Sequence, residues 1–67
     1  MKLNDEILFE VEDGGIAVIT IDRPQARNAI NSGVIDGLRQ AWQRFGQDES
    51  LRVAILTGSG DKAFCAG

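Results

Sequence analysis

Histidine is absent from these 67 residues, and cysteine and proline each occur once. Without histidine, zinc sites of the Cys/His type and a Cys–His nucleophile pair are both excluded. One cysteine, Cys65, cannot form an internal disulfide. No apolar run approaches the length of a membrane span. The start, Met1-Lys2-Leu3-Asn4-Asp5-Glu6, lacks the apolar centre of a secretory signal. A net charge of −3 with scattered Lys and Arg gives no nucleic-acid surface. A free cysteine without a signal segment leads to the expectation of a cytoplasmic protein, with no membrane and no nucleic acid among its partners.

A chain this short buries only roughly 60% of its unfolded surface, and its balance of apolar burial against chain entropy comes out near zero. With no disulfide and no metal set of its own, it is expected to be completed by something outside the 67 residues. Hydrophobic content of 43% and charged content of 25% are otherwise ordinary for a globular protein.

Ile7 to Glu12 alternates, with Ile7, Phe9 and Val11 on one side and Glu10 and Glu12 on a solvated face. Asp13-Gly14-Gly15 is a hairpin turn signal, since Gly-Gly supplies positive φ. Ile16 to Ile21 is apolar on both faces, as in a strand covered on each side. Pro24, lacking an N–H, stops further pairing.

The spacing of Val34, Ile35, Leu38, Ala41, Trp42 and Phe45 predicts a helix beginning near Ser32 and ending at Gly46-Gln47-Asp48. Asn31 or Ser32 is the N-cap candidate, and Asp36 is placed in the favourable first turn. Gly37 interrupts the pattern at a cost of roughly 1 kcal/mol relative to alanine, which marks a position of close packing. Trp42 and Phe45 are read as core. Val53 to Thr57 is read as a second buried strand, followed by the flexible turn Gly58-Ser59-Gly60-Asp61-Lys62. The fold class is therefore α/β, a β-hairpin plus a βαβ unit, whose crossover is right-handed in nearly all cases. Ligands of such units lie outside the carboxyl ends of the parallel strands, so the loops 22–31 and 58–67 are the candidate binding surface.

Those loops hold several constellations that could carry chemistry. Gly58-Ser59-Gly60-Asp61-Lys62-Ala63 matches the G-x-G-x-x-A form of the dinucleotide fingerprint, but Phe64-Cys65-Ala66-Gly67 is a poor helix start and no acidic residue follows. Cys65 has no base to activate it and reads better as a small buried residue. Asp22 and Asp61 flank turns, where aspartate bonds local backbone. None of these acids is assigned a catalytic role. Arg23, Arg27 and Lys62 together would suit a phosphate-bearing ligand.

Two blocks in register carry a family likeness. Residues 19–31, Ile-Thr-Ile-Asp-Arg-Pro-Gln-Ala-Arg-Asn-Ala-Ile-Asn, and residues 53–67, Val-Ala-Ile-Leu-Thr-Gly-Ser-Gly-Asp-Lys-Ala-Phe-Cys-Ala-Gly, resemble the strand, loop and oxyanion loop of the enoyl-CoA hydratase/isomerase (crotonase) superfamily. The resemblance spans residues 7 to 67. It implies that residues 1–67 are the incomplete N-terminal portion of a crotonase-like ββα spiral domain, from an enzyme acting on acyl-CoA thioesters. In such an enzyme two backbone N–H groups polarise the thioester carbonyl and stabilise an enolate-like anion. The small residues of the second loop suit a backbone that must approach its ligand closely.

By the same resemblance, Ala26 and Arg27 lie along the CoA nucleotide, with Arg27 the phosphate contact. Ala63 and Ala66 border the adenine and pantetheine arm, with Phe64 packed behind the loop. Lys62, Phe64 and Gly67 count with them as CoA-binding residues, and Asn28 ties its loop together rather than touching substrate. Asp22 departs mildly from the asparagine often found before Arg-Pro in this family. The resemblance places both oxyanion donors and the proton-moving acids beyond Gly67, so no catalytic residue is expected within the chain. No metal or separate cofactor is expected; coenzyme A enters as part of the substrate. Expected partners are the acyl-CoA thioester, a companion C-terminal polypeptide, and further copies in a trimer or hexamer. A non-catalytic binding or assembly fragment, docking through the exposed sheet edge and the Val34–Phe45 stripe, is the alternative. Acyl-chain choice and reaction type depend on residues not present.

Overall fold

A computed structural model of the chain describes residues 1–60. Three strands and one long helix make two layers. Strand β1 spans Ile7–Glu12 and β2 Ile16–Ile21; after a 3-10 turn at Pro24–Ala26, helix α1 runs Ser32–Gln47, and β3 covers Val53–Gly58. The sheet order is β1-β2-β3, with β1 and β2 antiparallel and β2 and β3 parallel. This is the expected hairpin plus βαβ unit.

Register follows from the alternation. Ile7 pairs with Ile21 and Phe9 with Ile19, so these four residues share the buried face that α1 covers, while Val11 at the strand's end is exposed. Ile7, Phe9, Ala17, Ile19, Ile21, Val34, Ala41 and Leu51 form the buried core, with Leu38 and Phe45 packed at its margin. Gly14 and Gly15 both take positive φ (93° and 78°), closing a hairpin that other residues would strain. The Gly15 carbonyl also accepts from the amides of Arg52 and Val53 (2.7 and 3.2 Å), tying this turn to the start of β3.

Asn31 is the N-cap: its side chain accepts from the Val34 amide at 2.8 Å. Asp36 does not fall in the first turn as expected. With the cap at Asn31 it stands one turn further on, beside Arg39 (3.8 Å) and Gln40 (3.0 Å).

Three further expectations are corrected. Strand β3 is not buried: Val53, Ile55 and Leu56 are exposed, because it forms the sheet edge among the described residues and α1 lies over β1 and β2. Strand β2 is covered on one face only, so its buried residues alternate with half-buried ones. Trp42 is 46% exposed rather than core. Gly37 turns towards Ile7 of β1, which rotates Ile35 and Trp42 to the opposite flank of the helix.

The N-terminus, unassigned from sequence, is ordered onto the sheet. Lys2 bridges Leu8, the Phe9 amide donates to the Met1 carbonyl at 2.8 Å, and the Leu3 amide donates to the Ile7 carbonyl at 2.9 Å. Asn4 joins this segment to the helix. Its Oδ1 accepts from the Glu6 and Ile7 amides, and its Nδ2 donates to the Gly33 carbonyl at 2.8 Å. Among the described residues no helix is long and apolar enough to cross a membrane.

Candidate functional site

The parallel pairing of β2 with β3 brings their carboxyl ends side by side, with Ile21 opposite Gly58. The chain leaving β2 cannot continue the ladder through Pro24 and turns at once into the 3-10 segment. Arg27 and Asn28 then both take left-handed φ values of 51° and 58°. Two such residues in succession reverse the chain towards the helix N-cap.

Every backbone amide from Ala26 to Ala29 is engaged within this loop: Ala26 and Asn28 donate to the Arg23 carbonyl, Arg27 to Pro24, and Ala29 to Ala26, at 2.7–3.1 Å. The loop therefore offers an anion side chains rather than a nest of free amides. Of the two arginines, Arg23 is committed to the fold, since its Nη1 donates to the Ala29 carbonyl. Arg27 is exposed, and its guanidinium has no ion pair among the described residues. Ala26 is half-buried beside it. Of the expected cation cluster, Arg23 and Arg27 share this loop, the first bonded into it and the second exposed. Lys62, Ala63, Phe64, Ala66 and Gly67 lie outside the described residues, as do Asp61 and Cys65.

Asn28 is fully buried. Its Oδ1 accepts from the Arg23 amide at 2.8 Å, and its Nδ2 donates to the Ser59 carbonyl at 2.9 Å. The expectation that Asn28 ties its own loop is met, but the tie also reaches the loop after β3. Asp22 bonds across as well, not locally as expected: its Oδ1 accepts from the Ser59 hydroxyl at 2.8 Å. The Ser59 amide donates to the Ile21 carbonyl at 2.9 Å. Gly60, at φ 79°, packs against Pro24, whose Cβ would lie 3.1 Å from a side chain there. The sequence signal for this network is slight: a polar residue follows β2 and another follows β3, at strand ends that only a parallel pairing makes neighbours.

A groove of about 690 Å³, bordered by Phe9, Val11, Arg44 and Leu51, opens at the other end of the sheet. The carboxyl-end loops are the better candidate, because parallel strands direct loop backbone and helix N-termini there. A second, apolar concavity of about 510 Å³ lies along Ile35, Leu38 and Trp42. Among the described residues no cluster of His, Cys, Asp and Glu could hold a metal ion.

Known proteins share this arrangement. Residues 11–67 match the family model described as Enoyl-CoA hydratase/isomerase. YngF of Bacillus subtilis (strain 168), provisionally named an enoyl-CoA hydratase/isomerase, is 43% identical over 65 residues, 97% of this chain and 25% of its own length. Enoyl-CoA hydratase EchA12_1 from Mycobacterium marinum superposes with a TM-score of 0.90 at 39% identity, over 96% of this chain and 32% of that one. A carnitinyl-CoA dehydratase from Mycobacterium avium 104 gives 0.86 at 47% identity, over 92% of this chain and 24% of that one. The chain thus spans about a quarter of the length of the curated relative. Sequence match and superposition both run through the β2 loop and β3, and the chain belongs to the enoyl-CoA hydratase/isomerase family.

Proposed function

We propose that these residues form the CoA-binding strand–loop pair of an enzyme that acts on acyl-CoA thioesters. The observation that carries the reading is Arg27, a guanidinium without an ion pair among the described residues, held at the carboxyl end of the parallel pair by a loop whose amides from Ala26 to Ala29 are engaged. A planar fork of donors in that position suits the phosphates of the CoA nucleotide. Ala26, small and beside Arg27, leaves room for the nucleotide to lie along the loop. On this reading Lys62, Ala63, Phe64, Ala66 and Gly67 line the remainder of the CoA arm.

The chemistry of this reading is polarisation of the thioester carbonyl by two backbone N–H groups, which stabilise the enolate-like anion as its charge develops. Those donors and the acids that move protons stand outside the 67 residues, in the remaining portion of a crotonase-like domain. The chain alone is then a CoA cradle without turnover. No metal or separate cofactor takes part, and the enzyme is a trimer or hexamer in the cytoplasm.

Calorimetric titration of the chain with coenzyme A tests this. Saturable binding that Arg27→Ala weakens about tenfold, the scale of one charge-assisted contact, is the expected result. No binding, or binding indifferent to Arg27, rejects the reading.

A second reading, a non-catalytic binding or assembly fragment, is favoured by the exposed Ile35 and Trp42 on α1 and by exposed Val53 and Ile55 on β3. A native mass that exceeds the monomer, without CoA binding, selects it.

A further inference from the structure

We infer that Asn28 is a positioning residue, a latch that aligns the ligand-facing loop after β2 with the chain leaving β3. The identity of the ligand rests on the acyl-CoA reading; the latch itself rests on geometry.

Among the described residues three hydrogen bonds join the two loops, and Asn28 makes the one between side chain and backbone. Its Nδ2 donates to the Ser59 carbonyl 31 residues away, while Oδ1 of the same amide accepts from the Arg23 amide. Asp22 holds the Ser59 hydroxyl, and the Ile21 carbonyl holds the Ser59 amide. Ser59 is thus gripped at its amide, hydroxyl and carbonyl by residues at the end of β2 and in its loop. Arg27 is the immediate neighbour of Asn28 and shares its left-handed backbone. Any displacement of Arg27 towards an anion pulls directly on the Asn28 peptide, and through Nδ2 on the Ser59–Gly60 peptide.

The residue type is dictated by three demands met at once. The side chain must donate on one side, accept on the other, and sit on a residue with φ of 58°. Aspartate lacks the donor, glutamine is longer, and glycine accepts the backbone but has no amide. Asparagine satisfies all three. The role differs from ligand contact, since the side chain is fully buried.

The test is amide hydrogen exchange on the 67-residue chain and on Asn28→Asp and Asn28→Gly, followed by titration with adenosine 3′,5′-bisphosphate as the nucleotide probe. Asn28→Asp keeps the acceptor for Arg23 and loses the donor to Ser59; Asn28→Gly keeps the backbone conformation and loses both. The expected result is exchange at the Ser59 amide at least about fivefold faster in both variants, with the β1–β2 amides unchanged. In the parent chain the nucleotide shifts the resonances of Arg27, Ser59 and Gly60; in the variants only the Arg27 response remains. Unchanged exchange at Ser59 in both variants overturns the latch. So does equal acceleration throughout the β1–β2 pair, which makes Asn28 merely structural. If the nucleotide leaves the parent spectrum unchanged, the acyl-CoA reading fails and the exchange rates still decide the latch.

Discussion

Gly37 of α1 lies so close to Ile7 of β1 that a Cβ on the glycine would stand 2.7 Å from the Ile7 Cβ and nearer still to its Cγ1. This one contact sets how closely the helix approaches the hairpin. It also sets the helix's rotation, turning Val34 and Ala41 into the core and Ile35 and Trp42 away from it.

Gly37→Ala is therefore expected to destabilise the chain by about 1–3 kcal/mol, as overpacking does, although alanine is the better helix former by about 1 kcal/mol. Gly46→Ala, in the same helix with nothing within 4 Å, is the control. It should raise stability by up to about 1 kcal/mol. Thermal unfolding of the two variants separates contact from propensity, and equal shifts would remove the contact argument.

The hairpin turn makes a similar distinction. A side chain at Gly15 would meet the Ser50 carbonyl oxygen and come within 3.2 Å of Arg52 Cγ, whereas Gly14 faces open space. Both have positive φ, so both alanine variants carry backbone strain of order 1–2 kcal/mol. Only Gly15→Ala should also break the bonds from the Arg52 and Val53 amides to its carbonyl. Faster amide exchange at Arg52 and Val53 in that variant alone is the expected outcome.

Asn31→Ala removes the acceptor for the Val34 amide. The loss should be about 1 kcal/mol, a fall of roughly 4–8 °C in Tm for a domain of this size. Asn31→Asp should restore most of it, because the aspartate keeps the acceptor and places negative charge at the positive end of α1.

Asp48 closes the other end of the helix. The Ser50 hydroxyl (2.6 Å) and then the Ser50 amide (3.0 Å) hold its carboxyl below the ordinary carboxylate value. With the folded pKa below the unfolded one, the contribution is complete above the unfolded value, roughly pH 4, and is lost as pH falls through the folded value. The carboxylate is exposed, so the effect on stability is small and the resonance is the better probe. A carbon-detected titration should show the Asp48 carboxyl titrating below the ordinary aspartate value, and moving upward in Ser50→Ala. No movement would mean the hydroxyl is not its partner in solution.

Much of the architecture was legible from local pattern. Alternation in Ile7–Glu12, the Gly14-Gly15 pair and the spacing from Val34 to Phe45 each specify an element through nearest neighbours along the chain. Local pattern offers Arg27 only alongside Arg23 and Lys62, and it is the family resemblance that singles it out. Trp42 shows the limit of that approach: helical spacing places it beside the core stripe, but which flank is buried depends on the sheet beneath, and Gly37 decides it.

The elements and their order are written in spacings within a few dozen residues, and the family likeness in the motif blocks at 19–31 and 53–67. Three things are settled only in the folded chain: Asn28 holds Ser59, Asp22 reaches the same residue rather than its own turn, and β3 forms the sheet edge among the described residues. The physical reason is that a donor specifies what it needs, not where that partner will come from. Asn28 carries its amide in any conformation; only the parallel pairing of β2 with β3 brings a carbonyl from 31 residues away within 2.9 Å of it.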